Sequence, residues 1–115
     1  MEICEFGGEG YMPLTAFGSW RVAMINACVQ LHEENLRRME RHLGTDEVFI
    51  LLEGEAVLHI GEEKKRFPME IGKLYCVKCG EWHCISMKPG AKAAVIENDD
   101  VGAANTEYLY FTAGL

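Results

Sequence analysis

The sequence predicts an all-β fold, a sandwich or barrel, over its 115 residues. Two observations carry that expectation: short runs rich in strand formers, and a Gly, Pro or Asn turn signal about every eight to twelve residues. At this length the chain is expected to form one domain, 1–115, large enough to bury one core and too small for two. Its 49% apolar and 25% charged residues are ordinary for a folded soluble protein.

Along the chain, residues 1–19 hold Pro13 and several glycines and read as an irregular lead-in or an edge strand. Trp20 to Val29 is the first good strand, apolar on both sides despite Asn26, as in a strand covered on both faces. His32 to His42 has a helix-like composition in a sheet-like setting, and its second half is read as extended. Glu47 to Leu52, a Glu53-Gly54-Glu55 turn and Ala56 to Ile60 are expected to form a hairpin. Gly61-Glu62-Glu63 turns into a short polar edge, Lys65 to Met69, and Ile71-Gly72-Lys73 turns into a strand, Leu74 to Lys78. Cys79-Gly80-Glu81 interrupts, His83 to Met87 resumes, and Pro89-Gly90 turns. Lys92 to Glu97 is an apolar strand, and Glu107 to Thr112 closes the fold after a polar loop.

A formal charge of -7 sets like charge against a nucleic-acid backbone or an anionic membrane. The basic clusters Arg37, Arg38, Arg41 and Lys64, Lys65, Arg66 read as solvated faces, so no nucleic-acid partner is expected. The amino terminus carries Glu2 and Glu5 where a signal peptide needs Lys or Arg, and the longest strongly apolar run, Val48 to Leu52, is far below spanning length. A cytoplasmic protein without a membrane partner is the expectation. Five cysteines form an odd set, consistent with free thiols in a reducing compartment. No phosphate loop or nucleophile elbow is present.

The chemistry is expected where Glu40, His42, Glu47 and His83 converge. Residues two apart on a strand share a face, so Glu40 and His42 point one way, Glu47 rejoins them after the Gly44-Thr45-Asp46 loop, and His83 comes from a neighbouring strand. Two imidazoles with two carboxylates form a fairly hard donor set, suited to Fe, Mn, Ni or Zn as divalent ions. Glu40 is the candidate catalytic residue, as a general base in an apolar setting of Phe49, Leu51, Tyr75 and Trp82, or else a fourth metal ligand.

The region from about Glu34 to Glu97 resembles a small single-domain cupin of the cupin 2 type. That family carries Gly, five residues, His-x-His, three or four residues, Glu, six residues, Gly; and then Gly, five residues, Pro-x-Gly, two residues, His, three residues, Asn. Here His42, Glu47, Gly54, Gly72, Gly80 and His83 fall in register, whereas Glu34, Glu40, Lys78 and Met87 replace the opening glycine, the first histidine, the proline and the asparagine. The resemblance implies a double-stranded β-helix, or jelly-roll, barrel with a metal site and a small polar or carboxylate-bearing substrate. Members with an altered first ligand include some that have lost the ion, so a binding or sensing module and a metal-free scaffold stand as alternatives. Glu40-Arg41-His42, Phe49 and Glu81-Trp82-His83 are also similar to the signature region of ureidoglycolate lyase-like cupins, which implies a lyase or hydrolase acting on a small carboxylate-bearing amide.

Other residues have plainer readings. Cys76 and Cys79 make an isolated C-x-x-C pair expected to serve packing rather than zinc or redox chemistry. His59 is read as an exterior strand residue. Arg38 is read as a surface ion-pair partner of Glu33, Glu34 or another carboxylate in preference to a group facing the site to neutralise an anionic substrate, and Tyr75 and Trp82 as pocket-mouth or core aromatics. A homodimer is expected, with Trp20, Val22 and Met24, or Ile25 on the reverse face, covered by a second copy.

Overall fold

In a computed structural model that describes residues 1–112 and Leu115, the chain forms ten strands in two antiparallel five-stranded sheets. They are β1 (Gly10–Phe17), β2 (Trp20–Asn26), β3 (Arg38–His42), β4 (Glu47–Glu53), β5 (Ala56–Ile60), β6 (Lys65–Pro68), β7 (Tyr75–Val77), β8 (His83–Met87), β9 (Lys92–Asn98) and β10 (Thr106–Tyr110). One sheet runs β1-β2-β9-β4-β7 and the other β10-β3-β8-β5-β6. Successive strands often belong to different sheets, so residues far apart along the chain meet between them.

Alternation explains the core. On β4, Phe49 and Leu51 turn inward; on β8, Ile85 and Met87; on β9, Ala93 and Val95, all joined in one buried cluster with Ile25, Leu58 and Val77. Glu47, His83 and Glu97 occupy the same inward phase of those strands, one step beyond the apolar residues. Continuing an inward face past the apolar filling is what places three titratable groups inside.

The structure changes several expectations. β4 and β5 do not form a hairpin: β4 lies between β9 and β7, β5 between β8 and β6. The Glu53-Gly54-Glu55 turn instead carries the chain from one sheet to the other. Gly54 has φ 74, and a Cβ there would sit 2.7 Å from the Ala91 Cα, so a close backbone crossing replaces hairpin pairing. The strand from Trp20 ends at Asn26, and Val29 belongs to a 3-10 turn. The last strand is Thr106–Tyr110, shifted from Glu107 to Thr112. The lead-in contains a true edge strand, β1, and the helix-like composition of 32–42 resolves into a 3-10 turn, Glu33–Asn35, followed by β3.

His59 is not exterior: it is fully buried, with Nε2 2.8 Å from Ser86 Oγ. It does lie on the face of β5 opposite Leu58, but Glu33 reaches over that face, its Oε1 3.7 Å from His59 Nε2. No helix among the described residues is long and apolar enough to cross a membrane.

Candidate functional site

The four candidate residues come together. Glu40 and His42 lie on β3, His83 opens β8 directly opposite Glu40, and Glu47 opens β4 in the facing sheet. Each offers one donor atom, and these atoms all lie within 4.8 Å of one another. His83 Nε2 is 2.7 Å from Glu47 Oε1, and His42 Nε2 is 3.3 Å from the same oxygen and 3.7 Å from Glu40 Oε1. The two imidazole rings stand edge to face at 5.5 Å, and Phe49 backs the His83 ring at 6.0 Å.

Hydrogen bonds at the far side of each ring aim it. His83 Nδ1 lies 3.0 Å from the Glu81 carbonyl, which only accepts, so Nδ1 carries a hydrogen and donates it. A neutral His83 then has a lone pair at Nε2, facing a carboxylate at 2.7 Å. Two electron-rich atoms hold that distance when a proton or a metal cation lies between them. His42 Nδ1 is bonded to Thr106 Oγ1 at 3.1 Å, and its buried Nε2 has no hydrogen-bond partner. Donor atoms about 2.0–2.2 Å from a common ion lie about 3–3.5 Å apart. The observed separations of 2.7, 3.3 and 3.7 Å bracket that range, so these residues fit a divalent ion.

The electrostatics favour ionised ligands. Burial opposes charge on both imidazoles, but the Glu47 carboxylate outweighs it and raises both above the usual histidine value. Burial likewise opposes charge on Glu47, yet the two imidazoles facing it, His83 bonded at 2.7 Å and His42 at 3.3 Å, hold its carboxyl well below the usual range.

A fifth titratable group, Glu97 on β9, escaped the sequence reading. Its Oε1 accepts from the Tyr11 hydroxyl at 2.7 Å and from Arg21 Nη2 at 3.0 Å. Its Oε2 is buried without a hydrogen-bond partner, 3.7 Å from His42 Nε2. Burial and the neighbouring Glu47 push Glu97 up to about 7. The available signal was its phase: Ala93, Val95 and Glu97 are consecutive inward positions of β9.

These groups line a cavity of about 430 Å³ between the sheets. Arg38, exposed as expected but without the expected ion pair, borders it too, because it shares the strand phase of Glu40 and His42. Its guanidinium stacks over the Tyr108 ring at 4.3 Å. Tyr75 packs against the core, and Trp82 takes the Arg41 guanidinium over its ring at 4.4 Å. Cys76 and Cys79 are exposed free thiols outside the ligand cluster; the Cys79 N–H donates to Asp46 Oδ1 at 2.8 Å, which pins the turn before His83.

No protein-family model and no curated protein matches this sequence. Solved structures do match it. Pac13 from Streptomyces, described as a unique nucleoside dehydratase, shares 9% identity over 92% of this chain and 83% of its own, with a TM-score of 0.67. A cupin-2 domain protein from Shewanella frigidimarina shares 19% identity over 81% of this chain and 84% of its own, TM-score 0.63. A double-stranded β-helix protein from Klebsiella pneumoniae shares 16% over 95% and 84%, TM-score 0.63. Two facing antiparallel sheets and these likenesses together give the chain a double-stranded β-helix fold, the fold it shares with the cupin-2 domain protein.

Proposed function

We propose that this chain is a small-molecule-binding cupin that holds a divalent metal ion through His42, Glu47 and His83, with Glu40 as fourth ligand or general base of a metal-dependent reaction. The single observation that carries this reading is the convergence of two Nδ1-anchored imidazoles on one buried carboxylate oxygen, with His42 Nε2 lacking a hydrogen-bond partner. When bound, such an ion polarises a substrate oxygen as a Lewis acid. Glu40, with its side chain 37% exposed, is the ligand-set member best placed to exchange a proton with a bound molecule. The cavity volume suits a small polar ligand, and one structural neighbour was solved with uridine.

Elemental analysis of protein purified without added metal tests the proposal. About one transition-metal ion per chain is expected, lost in His83→Ala; a chain that contains none and takes up none of Zn, Fe, Mn or Ni when supplied refutes it.

A metal-free binding module is the second reading, favoured by one specific contact. His83 and Glu47 satisfy each other as an imidazolium–carboxylate pair at 2.7 Å. A ligand recovered unchanged with metal-free protein supports that alternative.

We also propose a homodimer formed through β1 and β2 and a reducing, cytoplasmic setting. Phe17 and Trp20 are 77% and 44% exposed, and Val22 and Met24 are only partly covered, whereas Ile25 is in the core. All five cysteines are free. Light scattering at micromolar concentration should return twice the 12.9 kDa chain mass.

A further inference from the structure

We infer that Arg38, clamped on Tyr108 at the cavity wall, is an anion anchor that selects ligands bearing a carboxylate or phosphate at the end remote from the ion site. This rests on the ligand-binding reading above and adds to it the charge and length of the ligand.

The cavity has two guanidinium groups, and only one is matched. Arg21 is engaged with Glu97, with the Tyr11 hydroxyl at 3.1 Å and with the Asp99 carbonyl at 3.2 Å. Among the described residues no carboxylate lies within ion-pair distance of Arg38. Glu40, two residues along the same face of β3, acts on Arg38 through space without pairing with it, so the guanidinium donors stay open to a ligand. Its rotamer is also set. The Tyr108 ring lies against it at 4.3 Å, and Nη1 reaches the Tyr110 hydroxyl at 3.4 Å. Stacking on one face leaves the planar fork of N–H donors directed outward, the geometry that takes a carboxylate or phosphate bidentately.

Position along β3 gives the length. Arg38 precedes Glu40 by two residues and His42 by four on the same face. At about 3.3 Å per residue, the guanidinium-bearing position lies roughly 7 Å from Glu40 and 13 Å from His42 along the strand. Long side chains lean across part of that gap. A ligand spanning it carries an anionic group about four to six atoms from an oxygen donor. Glu40 lies between Arg38 and His42 on this face, and Ile25, Leu31 and Leu36 also line the cavity.

Calorimetric titration with glutarate, adipate and their uncharged diamides, and with glycerol 3-phosphate and glycerol, tests the anchor on both metal-free and zinc-loaded protein. At least one anion should bind about tenfold more tightly than its neutral diamide or glycerol counterpart. Preference for the phosphate or for the diacid identifies the anionic group. Arg38→Met should abolish the preference and Arg38→Lys should restore part of it, with circular dichroism melts showing both variants folded. The anchor is overturned if no anion is preferred in either form, or if Arg38→Met keeps the wild-type preference. Zinc uptake is followed separately on wild-type protein. Failure of zinc binding with an Arg38-dependent preference intact removes the metal alone, whereas zinc binding without the preference removes the anchor alone.

Discussion

The Gly80 backbone N–H donates to the His42 carbonyl at 2.8 Å, which ties the turn that delivers His83 to the strand that carries the other imidazole. That turn needs φ 82 at Gly80, where an added Cβ would meet nothing within 4 Å. Gly80→Ala therefore carries only the left-handed backbone cost, about 1–2 kcal/mol. Gly54→Ala adds a Cβ 2.7 Å from the Ala91 backbone to a similar φ, and should cost more, about 3 kcal/mol or above. Urea denaturation of the two variants checks the order, and zinc affinity should fall in Gly80→Ala because His83 is displaced.

Glu47 is the hinge of the ligand set. Glu47→Gln keeps the volume but removes the charge that both imidazoles face, and a loss on the order of 1–3 kcal/mol in metal-free stability is expected. The variant should also lose metal. His42→Ala should also lose metal, with a separate stability cost from the broken Nδ1–Thr106 Oγ1 bond and the cavity left by the buried ring. Parallel elemental analysis and urea titration separate the two effects.

Acid and base act on metal-free and loaded protein with opposite sign. Glu47, held below its ordinary 4.5, contributes stability that is present above pH 4.5 and lost as pH falls through its lower folded value. Glu97, raised from 4.5 to about 7, and the two histidines, raised from 6.5, contribute stability present at low pH and lost as pH rises through their folded values. Metal-free protein should be most stable near pH 4.5–5 and lose on the order of 2 kcal/mol by pH 7. Metal binding needs neutral imidazoles, so the increase in Tm on adding zinc should be larger at pH 8 than at pH 5.5. Equal shifts at both pH values would contradict the ligand assignment.

The Tyr11–Glu97–Arg21 network should be asymmetric to mutation. Arg21→Met leaves Glu97 without its cation, and because a carboxyl raised to about 7 can protonate instead, the cost at pH 8 should be held to about 1–2 kcal/mol. Tyr11→Phe removes one hydrogen bond and should cost about 1 kcal/mol. Chemical denaturation at pH 5 and pH 8 checks this: the Arg21→Met penalty should shrink at pH 5, where Glu97 is protonated in the folded chain.

Much of this was legible locally. Strand-forming runs between turn glycines, and His42, Glu47 and His83 in register with Gly54, Gly72 and Gly80, marked both the all-β architecture and the residues that meet. His59 was misplaced because its burial depends on Glu33 reaching across from another segment, which no strand pattern records. Arg38 was misjudged because a nearby carboxylate in sequence looks like a partner, while the phase of β3 turns the guanidinium to Tyr108 on β10.

Taken alone, the sequence determined the all-β architecture, the approximate positions of most strands and the convergence candidates Glu40, His42, Glu47 and His83. Side-chain alternation and glycine conformational freedom are local properties, written within a few residues. Only the tertiary structure decided that the Gly54 turn crosses between sheets, that Glu97 joins the histidines and that Arg38 borders the cavity stacked on Tyr108. Those facts depend on which strands become neighbours, and that choice is made by burying two apolar faces against each other across long stretches of chain.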